Sequence, residues 1–319
     1  MRIHIGYVAL ALGLKKVTSS STVTYKYYSG LSNNEKLNKL KKVTLSNIQD
    51  LEKILDYNVQ NDVHFYRLTS ALVPLATHPN VTDWNYREMF KVDFEYIGKI
   101  IRKHNMRVDF HADQFNVINS INSQVVENTI TNLLLLANLF EDMNYNEGKI
   151  IIHVGSSQGG KQEAINRFIT NFKYFPEEIT KRIIIENDDK VFNVIDVLEL
   201  CNKLDLPMVL DAHHHLCNNE GEDMYNYIDD IFNTWNNDVF IPKVHYSSPK
   251  ETEFDRRHAD YINAKEFNKF IYNMSNVVDR DFDIMLESKK KEMALFKLMD
   301  DLKEVNNQLK LVDKTTIKI

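Results

Sequence analysis

The sequence predicts an α/β protein with a (β/α)8 TIM-barrel fold, formed as a single domain over residues 1–319. Short runs rich in β-branched residues alternate along the chain with segments whose apolar residues recur at helical spacing. Strict alternation requires parallel strands joined by helical crossovers, and eight such units suit this length, since barrels of this kind take ~250 residues. The chain has 9 Gly and 6 Pro, which indicates compact packing with few linkers.

The predicted strands are short and apolar, and each precedes a longer amphipathic segment. The predicted strands are Arg2–Val8, His64–Thr69, Arg107–His111, Lys149–Val154, Arg182–Glu186, Pro207–Asp211, Pro242–Tyr246 and Phe282–Glu287. The predicted helices are Leu45–Tyr57, Tyr86–His104, Val125–Met143, Gln162–Phe172, Asn193–Leu204, Met224–Trp235, Ala264–Tyr272 and Lys289–Val305. The polar, tyrosine-containing segment Lys15–Lys42 is expected to form a functional loop over the barrel mouth.

An open, doubly wound sheet is the alternative fold for the same alternation. Such sheets more often carry a glycine-rich phosphate turn after their first strand. Here the first strand ends in the sequence Gly6-Tyr7-Val8-Ala9-Leu10, which lacks the GxGxxG pattern. The closed barrel is therefore favoured over the open sheet.

Composition narrows the class of protein and its compartment. A hydrophobic fraction of 43% and a charged fraction of 26% are typical of a globular protein and exclude a disordered chain. The apolar runs are shorter than the ~20 residues that span a bilayer, so no membrane association is expected. The two cysteines, Cys201 and Cys217, lack metal-ligand spacing and cannot form a disulfide framework, which favours a cytoplasmic location.

The formal net charge of -6 argues mildly against a nucleic-acid partner, because nucleic-acid-binding proteins usually carry a basic surplus. A protein whose carboxylates hold divalent metal ions is the exception. Two or three such ions would contribute about 4 to 6 positive charges, enough to cancel the net negative charge of the protein.

Metal-ligating residue types cluster at the ends of the predicted strands. Six of the eight strands deliver His, Asp, Glu or Lys near their carboxyl ends, namely His111, His153, Glu186, Asp211, Lys243 with His245, and Glu287. In a barrel these ends converge on one mouth, where active sites lie. A lone histidine at a strand end is more often a hydrogen-bonded core residue, but so many together would be costly to desolvate without partners.

The mixture of imidazole and carboxylate ligands is suited to Mn²⁺, Zn²⁺ or Fe²⁺ rather than Ca²⁺. The number of candidate ligands exceeds the four to six that one ion takes, so two or three ions are expected. Clustered metal ions are the common device for phosphodiester hydrolysis, because they stabilise the attacking and the leaving oxygen. His4, His64, His78 and His104 lie away from the strand ends and are expected to be structural.

Nine motifs spread over nearly the whole chain resemble the UV damage endonuclease family. They are YRLTS, VPLATHP, FHADQF, IIHVG, IENDD, LDAHHH, PKVHYSSP, RHADY and MLESKKK. The resemblance implies a metal-dependent barrel, related in architecture to endonuclease IV and the xylose isomerases. It also implies an enzyme that nicks double-stranded DNA on the 5′ side of cyclobutane pyrimidine dimers and 6-4 photoproducts. Mn²⁺ is the metal ion favoured here.

The resemblance also assigns roles to individual residues. The implied metal ligands are His111, His153, Glu186, Asp211, His214, His245, His258 and Glu287. Glu186 corresponds to the metal-bridging, catalytic glutamate, and Lys243 to an active-site lysine that is carboxylated in some members. Gln114 and Phe115 correspond to the pair that probes the lesion, and Tyr7 to an aromatic residue of the lesion-contacting first strand.

The chain departs from the family pattern at two places. Phe115 stands where many members carry Tyr, so the ring keeps its stacking surface and loses a hydroxyl. The first strand lacks the Asn that often follows the aromatic residue, because Tyr7 is followed by Val8-Ala9-Leu10-Ala11. The metal centre therefore looks complete, whereas the lesion-reading surface is expected to be altered.

The chemistry expected of Lys243 follows from its inward-facing position two residues before His245. An ammonium group buried beside divalent cations loses its proton, and the resulting amine can react with CO₂ to form a carbamate. An ordinary ion pair with Glu186 or Glu287 is the alternative.

Two further hypotheses concern the function. A sugar isomerase of the related barrel type would share the ligand types but would need a small closed pocket. A non-catalytic damage-binding paralogue would bind lesions without cutting, and no obligate protein partner is evident. The candidate phosphate contacts are Lys15, Lys16, Lys26, Arg67, Lys250, Arg256 and Arg257.

Overall fold

The computed structural model, which describes residues 1–306 and 309–319, confirms the (β/α)8 barrel. The barrel strands are β1 Arg2–Val8, β2 Phe65–Arg67, β3 Arg107–His111, β4 Lys149–His153, β5 Ile183–Glu186, β6 Met208–Asp211, β7 Lys243–Tyr246 and β8 Phe282–Leu286. All neighbours pair in parallel, and β1 pairs with both β2 and β8, which closes the barrel.

Helices follow each barrel strand, as the alternation predicts. Their bounds are α1 Tyr25–Ser29, α2 Asn33–Gln60, α3 Tyr86–Met89, α4 Lys91–Lys103, α5 Ser123–Asp142, α6 Lys161–Phe172, α7 Glu177–Thr180, α8 Val194–Leu204, α9 Ala212–Cys217, α10 Ile228–Asn233, α11 Ala264–Val277 and α12 Lys291–Val305. A short 3-10 helix, Met224–Asn226, precedes α10. Within residues 1–306 and 309–319, no helix combines the length and the apolar character that crossing a bilayer demands.

The predicted loop Lys15–Lys42 is wrong over much of its length, because α1 and the first turns of α2 lie within it. Ser32 and Glu35 form a capping box that starts α2, well before the predicted first residue, Leu45. Leu40 is the first buried residue of this helix, so its early turns lack the apolar stripe that would reveal them.

A C-terminal hairpin is the second feature that the sequence reasoning missed. Strands β9 (Lys310–Leu311) and β10 (Thr316–Lys318) pair with each other, and β10 adds antiparallel to β1. They are two and three residues long, too short for an alternating pattern to stand out.

The barrel interior is apolar below and polar at the mouth. Ile151, Ile184 and Val209 form a buried cluster with Trp235, whose indole donates to the carbonyl oxygen of Met208 (2.7 Å). Each of these strand residues lies two positions before a strand-end residue, so both point to the same side of the strand. The apolar layer therefore supports a layer of polar side chains directly above it.

Candidate metal centre

Glu186, the last residue of β5, is fully buried at the centre of a ring of imidazoles. Its Oε2 lies 2.9 Å from Nε2 of His111 and 3.7 Å from Nε2 of His153, and its Oε1 lies 2.8 Å from Nδ1 of His245. Burial opposes ionisation of the carboxyl, but His245 and His153 hold the pKa of Glu186 well below its usual range. The carboxylate is thus charged and shared between two sets of side chains.

Two groups of potential ligand atoms meet at this glutamate. The first is His111, His153 and Glu186, and the second is Glu186, Asp211, His245 and Glu287; within each group the ligand atoms lie within 4.8 Å of one another. Strand register places them at one height, because His153 pairs with Glu186 and Asp211 pairs with His245. The structure therefore brings six of the eight predicted ligands into two groups that share one carboxylate.

The other two predicted ligands, His214 and His258, lie at the rim of the same cluster. The Nδ1 of His214 donates to the carbonyl oxygen of Asn187 (2.9 Å), and the Nδ1 of His258 donates to that of Glu287 (2.7 Å). Because a carbonyl only accepts, these bonds fix the tautomer and leave Nε2 of each ring available as a ligand. His111 has the same arrangement, with Nδ1 bound to the carbonyl oxygen of Ala112 (2.8 Å).

Among the eight predicted ligands, two buried side-chain atoms have no hydrogen-bond partner within the described residues, Oδ2 of Asp211 and Nδ1 of His153. Asp211 also caps α9, because its Oδ1 accepts from the amide of His214 (2.7 Å). This hydrogen bond fixes the carboxylate and leaves Oδ2 without a partner among the described residues. An unpaired carboxylate oxygen is expensive to bury. A divalent cation would satisfy it, and the mixed nitrogen and oxygen donors suit Mn²⁺, Zn²⁺ or Fe²⁺.

Lys243 lies at the start of β7, fully buried beneath the cluster. Its Nζ donates to Oδ2 of Asp109 (2.5 Å), so its partner is neither Glu186 nor Glu287. Burial, together with Arg107 and Arg67, lowers the pKa of Lys243 to about 8 against the opposing effect of Asp109. Sequence reasoning missed Asp109, although its place in β3 two residues before His111 puts both side chains on one side of the strand.

Arg67, one of the predicted phosphate contacts, is buried within the cluster, unlike the other six. At the end of β2, it is 8% exposed and donates through Nη1 to Oε1 of Glu287 (2.5 Å) and through Nη2 to Nε2 of His245 (2.8 Å). Although burial opposes ionisation, Arg67 and His245 hold the pKa of Glu287 below its usual range. The guanidinium thus balances part of the carboxylate charge in the barrel.

The structure corrects the prediction for Tyr7, because its side chain is fully buried in the core and exposes no surface to DNA. Its hydroxyl donates to Oδ1 of Asn58 on α2 (2.6 Å), and its ring lies 5.1 Å from the ring of Tyr66. Downstream, Ala11 is fully buried and Leu10 is half-buried.

The two other residues predicted to probe the lesion are exposed. Gln114 and Phe115 follow β3 in the loop that leads to α5, and Phe115 exposes 76% of its surface. A phenylalanine exposed four residues after the candidate ligand His111 is free to stack on a base.

His213 and His4, which lie outside the predicted ligand set, have structural partners. Both ring nitrogens of His213 are bound, Nδ1 to the Ser247 hydroxyl (2.7 Å) and Nε2 to the carbonyl oxygen of Asp255 (2.8 Å). His4 contacts Asp283 (2.9 Å) at the opposite end of the barrel, away from the mouth.

The other basic residues predicted to contact phosphate divide into two sets. Lys15, Lys16, Lys26 and Lys250 are exposed. Arg256 and Arg257, also exposed, pair with neighbouring carboxylates, Arg256 with Asp189 (3.3 Å) and Arg257 with Asp255 (2.7 Å).

Comparisons with known proteins find relatives that match nearly the whole chain. A family model described as UV-endonuclease UvdE matches residues 3–318. The UV DNA damage endonuclease of Bacillus mycoides (strain KBAB4) is 36% identical over 319 residues, covering 100% of both chains. The crystal structure of SacUVDE superposes with a TM-score of 0.85 at 36% identity, over 95% of this chain and 99% of that one.

A more distant likeness concerns the fold alone. Endonuclease IV from Thermus thermophilus gives a TM-score of 0.54 at 14% identity, over 80% of this chain and 94% of that chain.

Proposed function

Because this chain belongs to the UV-endonuclease UvdE family, we propose that it nicks DNA on the 5′ side of cyclobutane pyrimidine dimers and 6-4 photoproducts in a metal-dependent reaction. The observation that carries the metal dependence is the sharing of Glu186 between two ligand groups. A carboxylate shared by two ligand groups would hold two ions close together, and paired ions would stabilise the attacking and the leaving oxygen in phosphodiester cleavage. The family match favours this activity over a sugar isomerase.

The proposed centre holds two or three divalent ions, with Mn²⁺ favoured over Zn²⁺ and Fe²⁺. The ligands would be His111, His153, Glu186, Asp211, His214, His245, His258 and Glu287. Ions bound there supply Lewis-acid stabilisation of the scissile phosphate and a water of lowered pKa.

The protein side chains have three tasks in this proposal. Glu186 joins the two ligand groups, and carbonyl oxygens hold the Nδ1 atoms of His111 and His214, which leaves the Nε2 of each ring for a metal ion. Arg67 donates to Glu287 and His245, and so orients both ligands while it offsets carboxylate charge. Gln114 and Phe115 occupy the space that damaged bases leave when they turn out of the stack, which costs least at a lesion.

Lys243 is the second catalytic residue of the proposal, as a carboxylated or neutral amine close to the metal ions. Complete burial lowers the pKa of Lys243 to about 8, so the ammonium form still predominates at pH 7. The neutral form requires the further lowering that nearby divalent cations would supply. The ion pair with Asp109 is the interaction that a carbamate would have to replace.

We further propose that residues 1–319 act as one endonuclease domain in the cytoplasm. Cys201 and Cys217 are both unpaired, as expected of a reducing compartment.

The test compares irradiated and unirradiated plasmid, each incubated with the purified protein in Mn²⁺ and in EDTA. The proposal expects conversion of supercoiled to nicked plasmid only with irradiated DNA and Mn²⁺, with the nick mapped to the 5′ side of the lesion. Equal nicking in EDTA contradicts the metal dependence. Binding to irradiated DNA without nicking in any divalent metal identifies a damage-binding paralogue instead.

A further inference from the structure

Positive charge is concentrated in residues 15–42, which we call the basic segment. It contains seven lysines and one glutamate, a net charge of +6 in a chain whose net charge is -6. The lysines are Lys15, Lys16, Lys26, Lys36, Lys39, Lys41 and Lys42. Within the part of the chain that the structure describes, none of these lysines pairs with a carboxylate, and Glu35 is engaged in the capping box of α2. The positive charge of the basic segment is therefore not neutralised by ion pairs.

The basic segment lies on the mouth side of the barrel. It follows the carboxyl end of β1, and α2 then runs back to the opposite end of the barrel, where β2 begins. The 28 residues of α2 span about 42 Å, whereas the seven residues of β1 span about 23 Å. Leu40 is the first buried residue of α2. The turns before Leu40 therefore extend past the packed helix layer at the rim of the mouth.

Lysines of α2 lie against tyrosine rings of α1 in this extension. The Nζ of Lys36 lies 5.6 Å from the centre of the Tyr28 ring, and the Nζ of Lys39 lies 5.6 Å from the centre of the Tyr27 ring. Both contacts are cation–π interactions, which hold the ammonium groups on the surface that α1 and α2 share. Lys26 of α1 is exposed beside them. Basic side chains clustered along one helical surface are the electrostatic footprint of a nucleic-acid contact.

Buried polar contacts fix the basic segment to the barrel. Asn47 of α2 is fully buried, and its side chain accepts from the amide of Ser21 (2.9 Å) and donates to the carbonyl oxygens of Ser21 (2.9 Å) and Leu72 (3.0 Å). The ring of Tyr25 stacks on that of His78 with 4.0 Å between their centres. Leu72 and His78 belong to the segment that leaves the mouth end of β2. Because the basic segment is held in place, it would lose little conformational entropy on binding a partner.

We propose that the basic segment binds the phosphate backbone of intact duplex DNA at the rim of the mouth. The inference rests on the proposed DNA substrate, since a duplex that presents a phosphate to the metal centre continues past this rim. Lysine contacts to phosphate carry no sequence information, so the basic segment holds undamaged DNA as well as the flanks of a lesion. The overall charge of the chain repels DNA, and the basic segment supplies the attraction that brings the mouth to the duplex.

The test measures Kd for an intact, unirradiated duplex at a series of salt concentrations in the Mn²⁺ buffer of the nicking assay. Each phosphate contact contributes about 0.9 to the slope of log Kd against log salt. The triple variant Lys26→Gln, Lys36→Gln and Lys39→Gln should therefore bind more weakly and lower this slope by about 2 to 3, with its metal content unchanged. Replacing the same three residues by Arg keeps the charge and should keep the slope of the wild type.

The matched control is the triple variant Lys99→Gln, Lys103→Gln and Lys173→Gln. It removes the same charge from exposed lysines near the carboxyl ends of α4 and α6, at the end of the barrel away from the mouth. Its slope should equal that of the wild type.

Equal slopes for the two glutamine variants overturn the inference, because the attraction would then depend on net charge alone. Wild-type protein whose affinity for intact duplex does not change with salt also overturns it, whether or not irradiated DNA is nicked. Wild-type protein that shows the expected slopes but fails to nick irradiated DNA in Mn²⁺ contradicts the proposed chemistry and supports the basic segment as a DNA-binding surface.

Discussion

Replacing Glu186 by Gln tests the central feature of the metal centre. The change keeps the size of the side chain and converts one carboxylate oxygen into an amide nitrogen. In the wild type, Oε2 faces His111 and His153, and Oε1 faces His245. Gln has one oxygen, so only one of the two ligand groups keeps a donor from this position.

The size of the effect follows from that loss. Removing even a group that only supports a ligand costs about 10–100-fold in metal affinity or activity. Loss of a ligand shared by two groups should therefore lower nicking by at least about 100-fold at saturating Mn²⁺ and reduce the metal content by at least one ion per chain. Elemental analysis and a plasmid nicking assay, run on the same preparation, measure both quantities.

Glu292→Gln is the matched control for this experiment. Glu292 is as deeply buried as Glu186, but it lies on α12 and accepts from the amide of Gly13 (2.6 Å), which a Gln oxygen can still do. The control should keep its metal content and activity. Full metal content and activity within tenfold of the wild type in the Glu186→Gln protein would refute the bridging role.

Three further predictions concern other parts of the molecule. Lys243→Ala should lower nicking more than it lowers metal content, and equal losses of metal and activity would argue for a purely structural lysine. NMR with labelled bicarbonate distinguishes a carbamate from a free amine at Lys243 in the wild type. Phe115→Ala should reduce the preference for damaged over intact duplex by ~1–3 kcal/mol of lost stacking, with metal content unchanged; an unaltered preference would show that the ring reads no lesion. Asp283 raises the pKa of His4 against the effect of burial, so the stabilising pair is complete below the unfolded pKa of about 6.5 and is lost as pH rises through the higher folded value. Chemical denaturation between pH 6 and about 9 should show this loss in the wild type and not in His4→Gln, and parallel pH profiles would exclude the pair.

The strands and the strand-end ligands could be predicted because each depends on a local pattern. Apolar runs such as Ile183–Glu186 define the strand, and the two-residue period fixes which side chains face inward. Once the strands are parallel and closed, their polar last residues must share one mouth. The convergence of Glu186 with His111 and His245 follows from topology alone.

Sequence reasoning is wrong or incomplete where a side chain's environment is set by a distant segment. Tyr7 is fully buried, and its hydroxyl donates to Asn58, which lies 51 residues away in the sequence. Arg67 resembles any other arginine in the sequence, and only the pairing with Glu287 shows that it belongs to the cluster. Lys243 finds Asp109 instead of a glutamate because β3 and β7 face each other across the barrel.

The contact between Arg67 and Glu287 spans 220 residues, and this separation has a consequence for how the protein acquires its metal. Contacts that join remote segments form late in folding, after the loop-closure entropy between them has been overcome. The complete ligand set therefore exists only when the last barrel strand has joined the first. In a refolding experiment, uptake of the full complement of metal ions should coincide with the final cooperative step, so full metal content reports an intact barrel.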